Sequence, residues 1–349
     1  MSRLFRFASI TLIFLIILQP AQVFANGGPL YYAASGYGPL QLDSESNVSL
    51  VREKVKYTVV ATDRTNQNMA EITVEYELLN KNDHLKTVNV LFLTPSGRDL
   101  TVKEGKDPID VMSETGGKPI NWEAQVKETV IEPVSGKALP LKDSSMGERQ
   151  AEGARFALTF EPDETKHILI SYVDEGGMYD RGIINRVFSH LYYLTPAAFW
   201  EGEPVVELEV KLLGQKIKLH SNLPLDKIDA STYRGTFNHL PEEEWYFSYT
   251  TTNRLLYPTN IEKDHNLLIL ATTAVFTVIA AAASLYFRKS VIFMLTAICI
   301  FGFTLYFISK MGGYPFNFIF VGMTDLAVGI VLVVCWNKVK KATRESAVN

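Results

Sequence analysis

Residues 71–79, with the sequence EITVEYELL, alternate apolar and polar side chains along their whole length. Apolar residues recur at every second position from Ile72 to Leu78, and threonine or glutamate fills the positions between them. A period of two predicts a β-strand with one face in a core and the other in water. The same pattern extends over residues 54–61 (KVKYTVVA) and 87–94 (TVNVLFLT), so we expect a mainly β structure.

Further strands follow along the chain, separated by short polar links. Polar links of two to four residues between apolar runs favour hairpins. We therefore predict two hairpins and a last strand, at residues 154–160 with 167–173, 205–213 with 216–220, and 245–251. Short strands joined by polar turns predict a β-sandwich-like architecture.

The strand-rich region is predicted to contain two β modules. We place the first at residues 46–174, with a long insertion between residues 96 and 153, and the second at residues 182–255. The polar, glycine-containing stretch at residues 174–177 is the expected junction. Before the first module, residues 26–45 form a glycine- and tyrosine-rich arm that we expect to pack against the domain.

Residues 1–25 have the features of a secretory signal peptide. Arg3 and Arg6 precede a 12-residue apolar stretch at 7–18, and Val23 and Ala25 occupy the cleavage positions. The apolar stretch is short for a membrane span, which favours a cleaved signal over an uncleaved anchor. Cleavage would leave a mature chain that begins at Asn26.

Residues 266–337 contain three long apolar runs, at 267–287, 291–309 and 316–336. Each run is close to the roughly 20 residues that a helix needs to cross a bilayer. Arg288, Lys289 and the basic tail at 338–349 would then lie in the cytoplasm, with the β region outside, as the positive-inside rule requires. We therefore predict a multi-pass protein of the cell membrane with three helices and a cytoplasmic C-terminus.

The charge and the cysteine content of the sequence limit which partners and which cellular compartment are compatible with it. Residues 26–265 carry 25 Lys+Arg and 36 Asp+Glu, a net charge of −11, which opposes binding to nucleic acid. Both cysteines, Cys299 and Cys335, lie within the apolar runs, so the exported region has neither a disulfide nor a cysteine-based zinc site. An exported domain without cysteine points to a bacterium.

Motifs for chemistry are absent from the sequence. It has no G-x-S-x-G elbow, no H-E-x-x-H metal motif and no phosphate-binding glycine loop, and its six histidines are scattered. Asp174, Glu175 and Asp180 form an acidic turn that could bind calcium or could simply be a polar link, although the calcium-loop spacing is missing. We expect no catalytic residues, no metal site and no cofactor.

Asp325 is the one charged residue within the three apolar runs, and it lies near the middle of the last one. Gly322 and Gly329 share its helical face and would let another helix approach closely. Thr277, at a similar depth in the first helix, is a candidate hydrogen-bond donor to Asp325, as are Thr296 and Thr304 in the second. Asp325 would then be either an ionisable functional group or a structural link between helices.

In four segments the sequence also resembles a group of uncharacterised bacterial exported proteins that are rich in β structure. These segments are Tyr193-Leu194-Thr195-Pro196, Trp200-Glu201-Gly202, the strand at 206–213 and the segment at 245–249. This resemblance implies a signal peptide, an extracytoplasmic β domain and C-terminal membrane helices. It assigns no catalytic residues.

Two functions fit these features best, and an unrecognised hydrolase fits them less well. The first is a non-catalytic, membrane-anchored extracytoplasmic module that binds a protein or an envelope component through loops or a strand edge. The alternative is a subunit of a membrane transport or channel complex that uses Asp325, since three helices exceed what anchoring requires.

Overall fold

The computed structural model describes residues 28–29, 42–43, 45–60, 69–95, 98–115, 119, 121–123, 129–140, 152–311 and 316–348. The predicted signal peptide lies outside these residues, as does most of the predicted arm. Within the described chain, a strand-rich region precedes three C-terminal helices. The prediction of a mainly β region followed by apolar helices is therefore confirmed.

The described residues of the β region contain eighteen strands, which we number in chain order. Most of the long ones coincide with the segments of alternating polarity, because that alternation places one row of apolar side chains in the core. The strands are β1 (Gly28–Pro29), β2 (Val48–Val60), β3 (Ala70–Asn80), β4 (Lys86–Thr94), β5 (Arg98–Glu104), β6 (Asp107–Ile109), β7 (Met112–Thr115), β8 (Thr129–Ile131), β9 (Ala138–Pro140), β10 (Glu152–Phe160), β11 (Thr165–Asp174), β12 (Gly177–Tyr179), β13 (Val187–Tyr192), β14 (Val205–Leu213), β15 (Ile217–Ser221), β16 (Asp226–Lys227), β17 (Thr232–Phe237) and β18 (Trp245–Thr251).

The strands form one large sheet, two four-stranded sheets and a small hairpin. The large sheet has the order β16-β17-β14-β2-β3-β11-β5-β6. The smaller sheets have the orders β1-β4-β10-β7 and β12-β13-β18-β15, and β8 pairs with β9. Every pair is antiparallel except β14 with β2, which run parallel in the middle of the large sheet.

A single hydrophobic cluster joins the inner faces of the three larger sheets. It contains Val74 and Val210 of the large sheet, Phe92 of the β4 sheet and Trp245 of the β18 sheet. Strands from both predicted modules contribute to the large sheet and to this cluster. The predicted division at residues 174–177 therefore does not separate two cores, because β14 completes the sheet that β2 and β3 begin.

Both predicted hairpins are wrong in their pairing, although their strands exist. β10 pairs with β4 and β7, whereas β11 pairs with β3 and β5 in the large sheet. In the same way β14 lies in the large sheet, and β15 pairs with β18. The short polar links thus carry the chain from one layer to the other, which places the apolar faces of successive strands on opposite sides of one core.

Three helices follow: α1 (Glu262–Phe287), α2 (Ser290–Met311) and α3 (Phe316–Val348). Among the described residues, two segments are long and apolar enough to cross a membrane, Glu262–Phe287 and Gly322–Lys341. The apolar part of α2, Val291–Tyr306, is shorter. Membrane anchoring is consistent with these helices, and the predicted number of three passes stays a prediction.

The strand registers show which strand ends lie together at each of the two ends of the β region. β18 ends at Thr251, and the next residue donates its backbone N–H to the carbonyl of Lys216 at 2.8 Å, in the turn that follows β14. Leu213 at the end of β14 lies opposite Val60 at the end of β2. We call this the helix-proximal end, because the chain passes from it into α1. The opposite end, with loops 81–85 and 161–164, is the distal end.

Candidate functional site

Asp325 lies on α3 within reach of a hydroxyl of α2. Thr304 donates its side-chain hydroxyl from Oγ1 to Oδ1 of Asp325 at 2.8 Å. The same Thr304 hydroxyl lies 2.9 Å from the backbone carbonyl of Ile300 in its own helix. This contact is a polar link between two apolar helices, in the position that the sequence suggested for a partner of the carboxyl group.

Thr277 does not take part in this link. It is buried on α1, and its Oγ1 donates to the backbone carbonyl of Thr273 at 2.8 Å. Ser284 and Thr296 bond the carbonyls four residues before them in the same way. A hydroxyl group that donates a hydrogen bond to a carbonyl of its own helix can be buried in an apolar bundle at little cost in free energy.

The two glycines near Asp325 do not create a close helix contact. A Cβ atom added to Gly322 or Gly329 would meet no atom within 4 Å in the described residues. No described helix of this chain therefore approaches closely at these positions, and the approach of a helix from another protein stays a prediction. The buried face of α3 instead contains Val328 and Leu332, which pack with Phe293 of α2.

A second polar site joins the β region to the start of α1, and we call it the joint. Asn260 is fully buried there and is bonded in several directions. Its side-chain Oδ1 accepts the backbone N–H of Asn185 at 2.8 Å, and its Nδ2 donates to the carbonyl of Asn185, also at 2.8 Å. Its own carbonyl accepts the N–H of Ile184 at 2.9 Å.

The joint extends one residue further on each side. Ile183 and Ile261 form an antiparallel bridge, and Glu262 donates its backbone N–H to the carbonyl of Gly182 at 2.9 Å. Asp264, in the first turn of α1, forms an ion pair with Lys137 of the β8–β9 hairpin. These contacts fix the direction in which α1 leaves the β region.

Residues 252–259, which we call the interfacial loop, turn back along the helices before α1 begins. Leu255, Leu256 and Tyr257, together with Phe303 of α2, pack against a cluster formed by Ile184 and by Ile269 of α1. The Tyr257 hydroxyl donates to Oγ1 of Thr272 at 2.7 Å. Because Thr272 lies almost three turns into α1, the loop descends along the bundle beyond the level of the joint.

His265 fastens this loop to α1. Its ring is fully buried, and Nε2 accepts the backbone N–H groups of Leu256 and Tyr257 at 3.1 and 3.3 Å. An imidazole nitrogen that accepts hydrogen bonds is unprotonated, so the contact specifies the neutral ring. This role could not be predicted from the sequence, since a lone histidine before an apolar run has no periodic or spacing signature.

The acidic turn is tied to the core of the β region. Oδ2 of Asp174 lies 2.6 Å from Nδ1 of His190, and both side chains are buried. Oδ1 of the same carboxylate accepts the N–H of Gly176 at 3.1 Å. Gly176 has φ +55°, and an added Cβ would lie 2.6 Å from the His190 ring, so only glycine fits there. The pair therefore gives Asp174 a structural partner within the chain.

Glu53 is a fully buried carboxyl group between the sheets. Tyr192 donates its hydroxyl to Oε1 at 2.8 Å, and the hydroxyls of Tyr76 and Tyr192 lie 3.3 Å apart. Burial raises the pKa of Glu53 to about 8, and the nearby Glu244 carboxylate adds to this rise, although the hydrogen bond from Tyr192 opposes it. Glu53 is accordingly protonated at neutral pH.

The aromatic cluster at residues 192–200 also belongs to the interior. Thr195 donates its hydroxyl to Glu244 and accepts the indole N–H of Trp122 at 2.8 Å. Glu244 also accepts the backbone N–H groups of Leu194 and Thr195. These bonds hold the corner between β13 and β14 in place. No group of three or more His, Cys, Asp or Glu side chains suited to a metal ion occurs in the part of the chain that the structure describes.

Comparisons with known proteins find likeness in solved structures alone. No family model and no curated protein matches the chain. A Legionella pneumophila protein described as nutrient-binding has 11% identity and a TM-score of 0.43, over 67% of this chain and 74% of that one. A zinc metallopeptidase of Deinococcus radiodurans has 10% identity and a TM-score of 0.30, over 59% and 44%. Leukotriene A4 hydrolase of Saccharomyces cerevisiae has 8% identity and a TM-score of 0.30, over 63% and 32%. At these values the likeness assigns no activity to this chain.

Proposed function

We propose that this chain is a membrane-anchored extracytoplasmic module that binds a protein or an envelope component without catalysing a reaction. The helices anchor it in three passes, with the β region outside and the C-terminus in the cytoplasm. The observation that carries the proposal is the joint. A flexible tether would suffice for anchoring, whereas the buried hydrogen bonds of Asn260 with Asn185 hold the β region at a fixed angle to α1.

A fixed angle determines which end of the β region faces away from the membrane. The distal end carries two loops, 81–85 and 161–164, and both are held by the buried Asn80. Its Nδ2 donates to the carbonyls of His84 and Glu161 at 3.2 and 2.9 Å. Ordered, exposed loops lose little conformational entropy on binding, so this end is our candidate contact surface for the partner.

The test is site-specific photocrosslinking of the full-length chain in intact cells. A photoreactive residue at Asp83 or Leu85 should crosslink to one and the same partner, because both side chains are exposed at the distal end. Lys218 in β15 serves as the control, because it lies near the helix-proximal end. Crosslinks that are equally strong at Lys218, or that differ in identity between Asp83 and Leu85, would contradict a distal binding surface.

The alternative function, a transport or channel subunit, is favoured by one contact, the hydrogen bond of Thr304 with Asp325. A polar link inside an apolar bundle is costly to insert and therefore often serves ion or proton movement. The Asp325→Asn variant separates the two functions in the same cells. An interaction module keeps its distal crosslinks in this variant and supports growth as the parent does, whereas a transport subunit assembles but loses activity.

A further inference from the structure

The described β region exposes few large apolar side chains, and they are not evenly distributed. Four of them lie at the helix-proximal end: Val60 (55% exposed), Met69 (38%), Leu213 (41%) and Ile228 (57%). The other three are Val51, Leu85 and Met112. Single exposed apolar residues need no explanation, but a group of them on one surface marks an interaction site.

The strand registers place these four residues at the same end of neighbouring strands of the large sheet. Leu213 is the register partner of Val60, and Met69 directly precedes Ala70, the partner of Val59. Ile228 donates its backbone N–H to the carbonyl of Thr232 at 2.9 Å, and Thr232 is the partner of Lys211 in β14. The ends of neighbouring strands thus form one apolar patch, which we call the proximal patch.

The proximal patch lies at the end of the β region from which the chain enters the helices. The turn after Leu213 is bonded to Thr252, where the interfacial loop begins. A few residues later, α1 turns an exposed apolar surface outward, at Leu267, Leu268 and Leu270. The patch therefore lies at the end of the β region that adjoins the apolar bundle, and the joint holds that end next to the start of α1.

We propose that the proximal patch rests on the lipid headgroup layer of the membrane that the helices cross. This inference rests on the membrane anchoring in the proposed function. Apolar side chains on a surface held against a bilayer enter the boundary between headgroups and acyl chains, about 5–10 Å deep. The β region would then be seated on the lipid at two places, the interfacial loop and the patch, and its distal end would point away from the membrane.

Nitroxide quenching of single-cysteine probes tests this directly in the full-length chain. Cys299 and Cys335 are first replaced by alanine, and one cysteine is introduced as Val60→Cys, Leu213→Cys or Ile228→Cys. Leu85→Cys is the matched control, because Leu85 is 55% exposed like Val60 but lies at the distal end. Val278→Cys, on the exposed face of α1, reports insertion of the helix itself.

Each variant carries a polarity-sensitive fluorophore and is reconstituted into vesicles of equal parts phosphatidylcholine and phosphatidylglycerol. Nitroxides are placed on the headgroup in one preparation and on the acyl chain in another. We expect headgroup quenching at positions 60, 213 and 228 to be several-fold stronger than at position 85. Position 278 should be quenched most by the acyl-chain nitroxide. Alkylation of the unlabelled cysteines by a water-soluble maleimide should slow on transfer from detergent to vesicles at 60 and 213, but not at 85.

The possible failures are distinguishable. If position 278 is quenched while 60, 213 and 228 behave like 85, the anchoring stands and the lipid contact of the patch is wrong. If position 278 is not quenched either, membrane anchoring fails and this inference fails with it. Protection of positions 60 and 213 in intact cells, without quenching in pure lipid vesicles, would assign the patch to a protein partner and overturn the lipid contact.

Discussion

The β region and the helical bundle treat the same kinds of side chain in opposite ways. In the β region, large apolar residues such as Tyr57 and Trp245 are fully buried, and buried carboxyl groups such as Glu53 and Asp174 are bonded between strands. In the bundle, most large apolar residues are exposed, while Thr273, Thr277 and Ser284 face inward. The first arrangement suits water, and the second suits lipid, where hydroxyls must be satisfied within the protein.

The largest expected difference between the two regions concerns their tryptophans. Trp245 is fully buried, lies edge-on to Tyr57 and donates its indole N–H to Ser221 at 3.0 Å. Replacing it by alanine should cost about 3–5 kcal/mol of stability, since a large core cavity remains. Trp336→Ala in α3, where the ring is partly exposed, is the control and should change stability far less. Thermal unfolding in detergent, followed by far-ultraviolet circular dichroism, measures both, and equal losses would refute the contrast.

The second prediction uses the buried carboxyl group of Glu53. Its pKa rises to about 8 in the folded chain from an ordinary value of 4.5, so folding takes up a proton between these two values. Stability should therefore be greatest near or below pH 4.5 as far as this group is concerned, fall as the pH rises and level off above pH 8. Glu53→Gln, which imitates the protonated form, removes this dependence.

At pH 7 the Glu53→Gln variant should be more stable than the parent chain by an amount on the order of 3 kcal/mol. Urea unfolding of both chains between pH 5 and 8 isolates the contribution of Glu53, because all other titrating groups are shared. A stability difference that stays constant across this range would show that Glu53 has an ordinary pKa in the folded chain. The bundle offers no counterpart, since no buried glutamate occurs in the described parts of its helices.

The third prediction addresses the boundary between the two regions. Asn260→Ala removes the side-chain bonds to the backbone of Asn185 and leaves those buried groups unpaired, which should cost about 1–3 kcal/mol. The loss should be local, so amide hydrogen exchange should quicken at residues 182–186 and not in β3. Lys137→Ala, which removes only an exposed ion pair, is the control and should cost at most about 1 kcal/mol. Faster exchange throughout the β region would mean that the joint is not a separate unit.

The elements that could be predicted are those in which a period along one segment of the sequence carries the information. The strands β2, β3 and β4 follow from alternation, and the helices follow from uninterrupted apolar runs. Pairing was not predictable in the same way. The parallel contact of β14 with β2 joins segments about 150 residues apart, and the short links after β10 and β14 look like hairpin turns although they connect different sheets.

The residues of the candidate sites also fall into those that could be predicted from the sequence and those that could not. Asp325 was conspicuous because a charge in an apolar run is rare, and its partner Thr304 was among the threonines at a suitable depth. Asn260, Asn185 and His265 form the joint and the anchor of the interfacial loop, yet nothing in their own segments distinguishes them from surface residues. Their roles depend on contacts between distant segments, and a single sequence does not contain that information.

The smallest expected effect is in the bundle, at the contact of Thr304 with Asp325. Hydrogen bonds between membrane helices contribute only about 0.6 kcal/mol of stability on average. The reason is that the same donors and acceptors find other hydrogen-bond partners when the helices are apart in the bilayer. Thr304→Val keeps the shape and removes the donor, so it should lower the melting temperature of the bundle only slightly. Thr296→Val is the control, because Thr296 bonds only the carbonyl of Ile292 among the described residues. If Asp325→Leu destabilises the bundle much more than Thr304→Val, the Asp325 carboxyl group has a further hydrogen-bond partner. That result would favour a polar centre between the helices, of the kind that a transport subunit needs. If both variants match the Thr296→Val control, the contact is incidental, and the helices serve as an anchor for the β region.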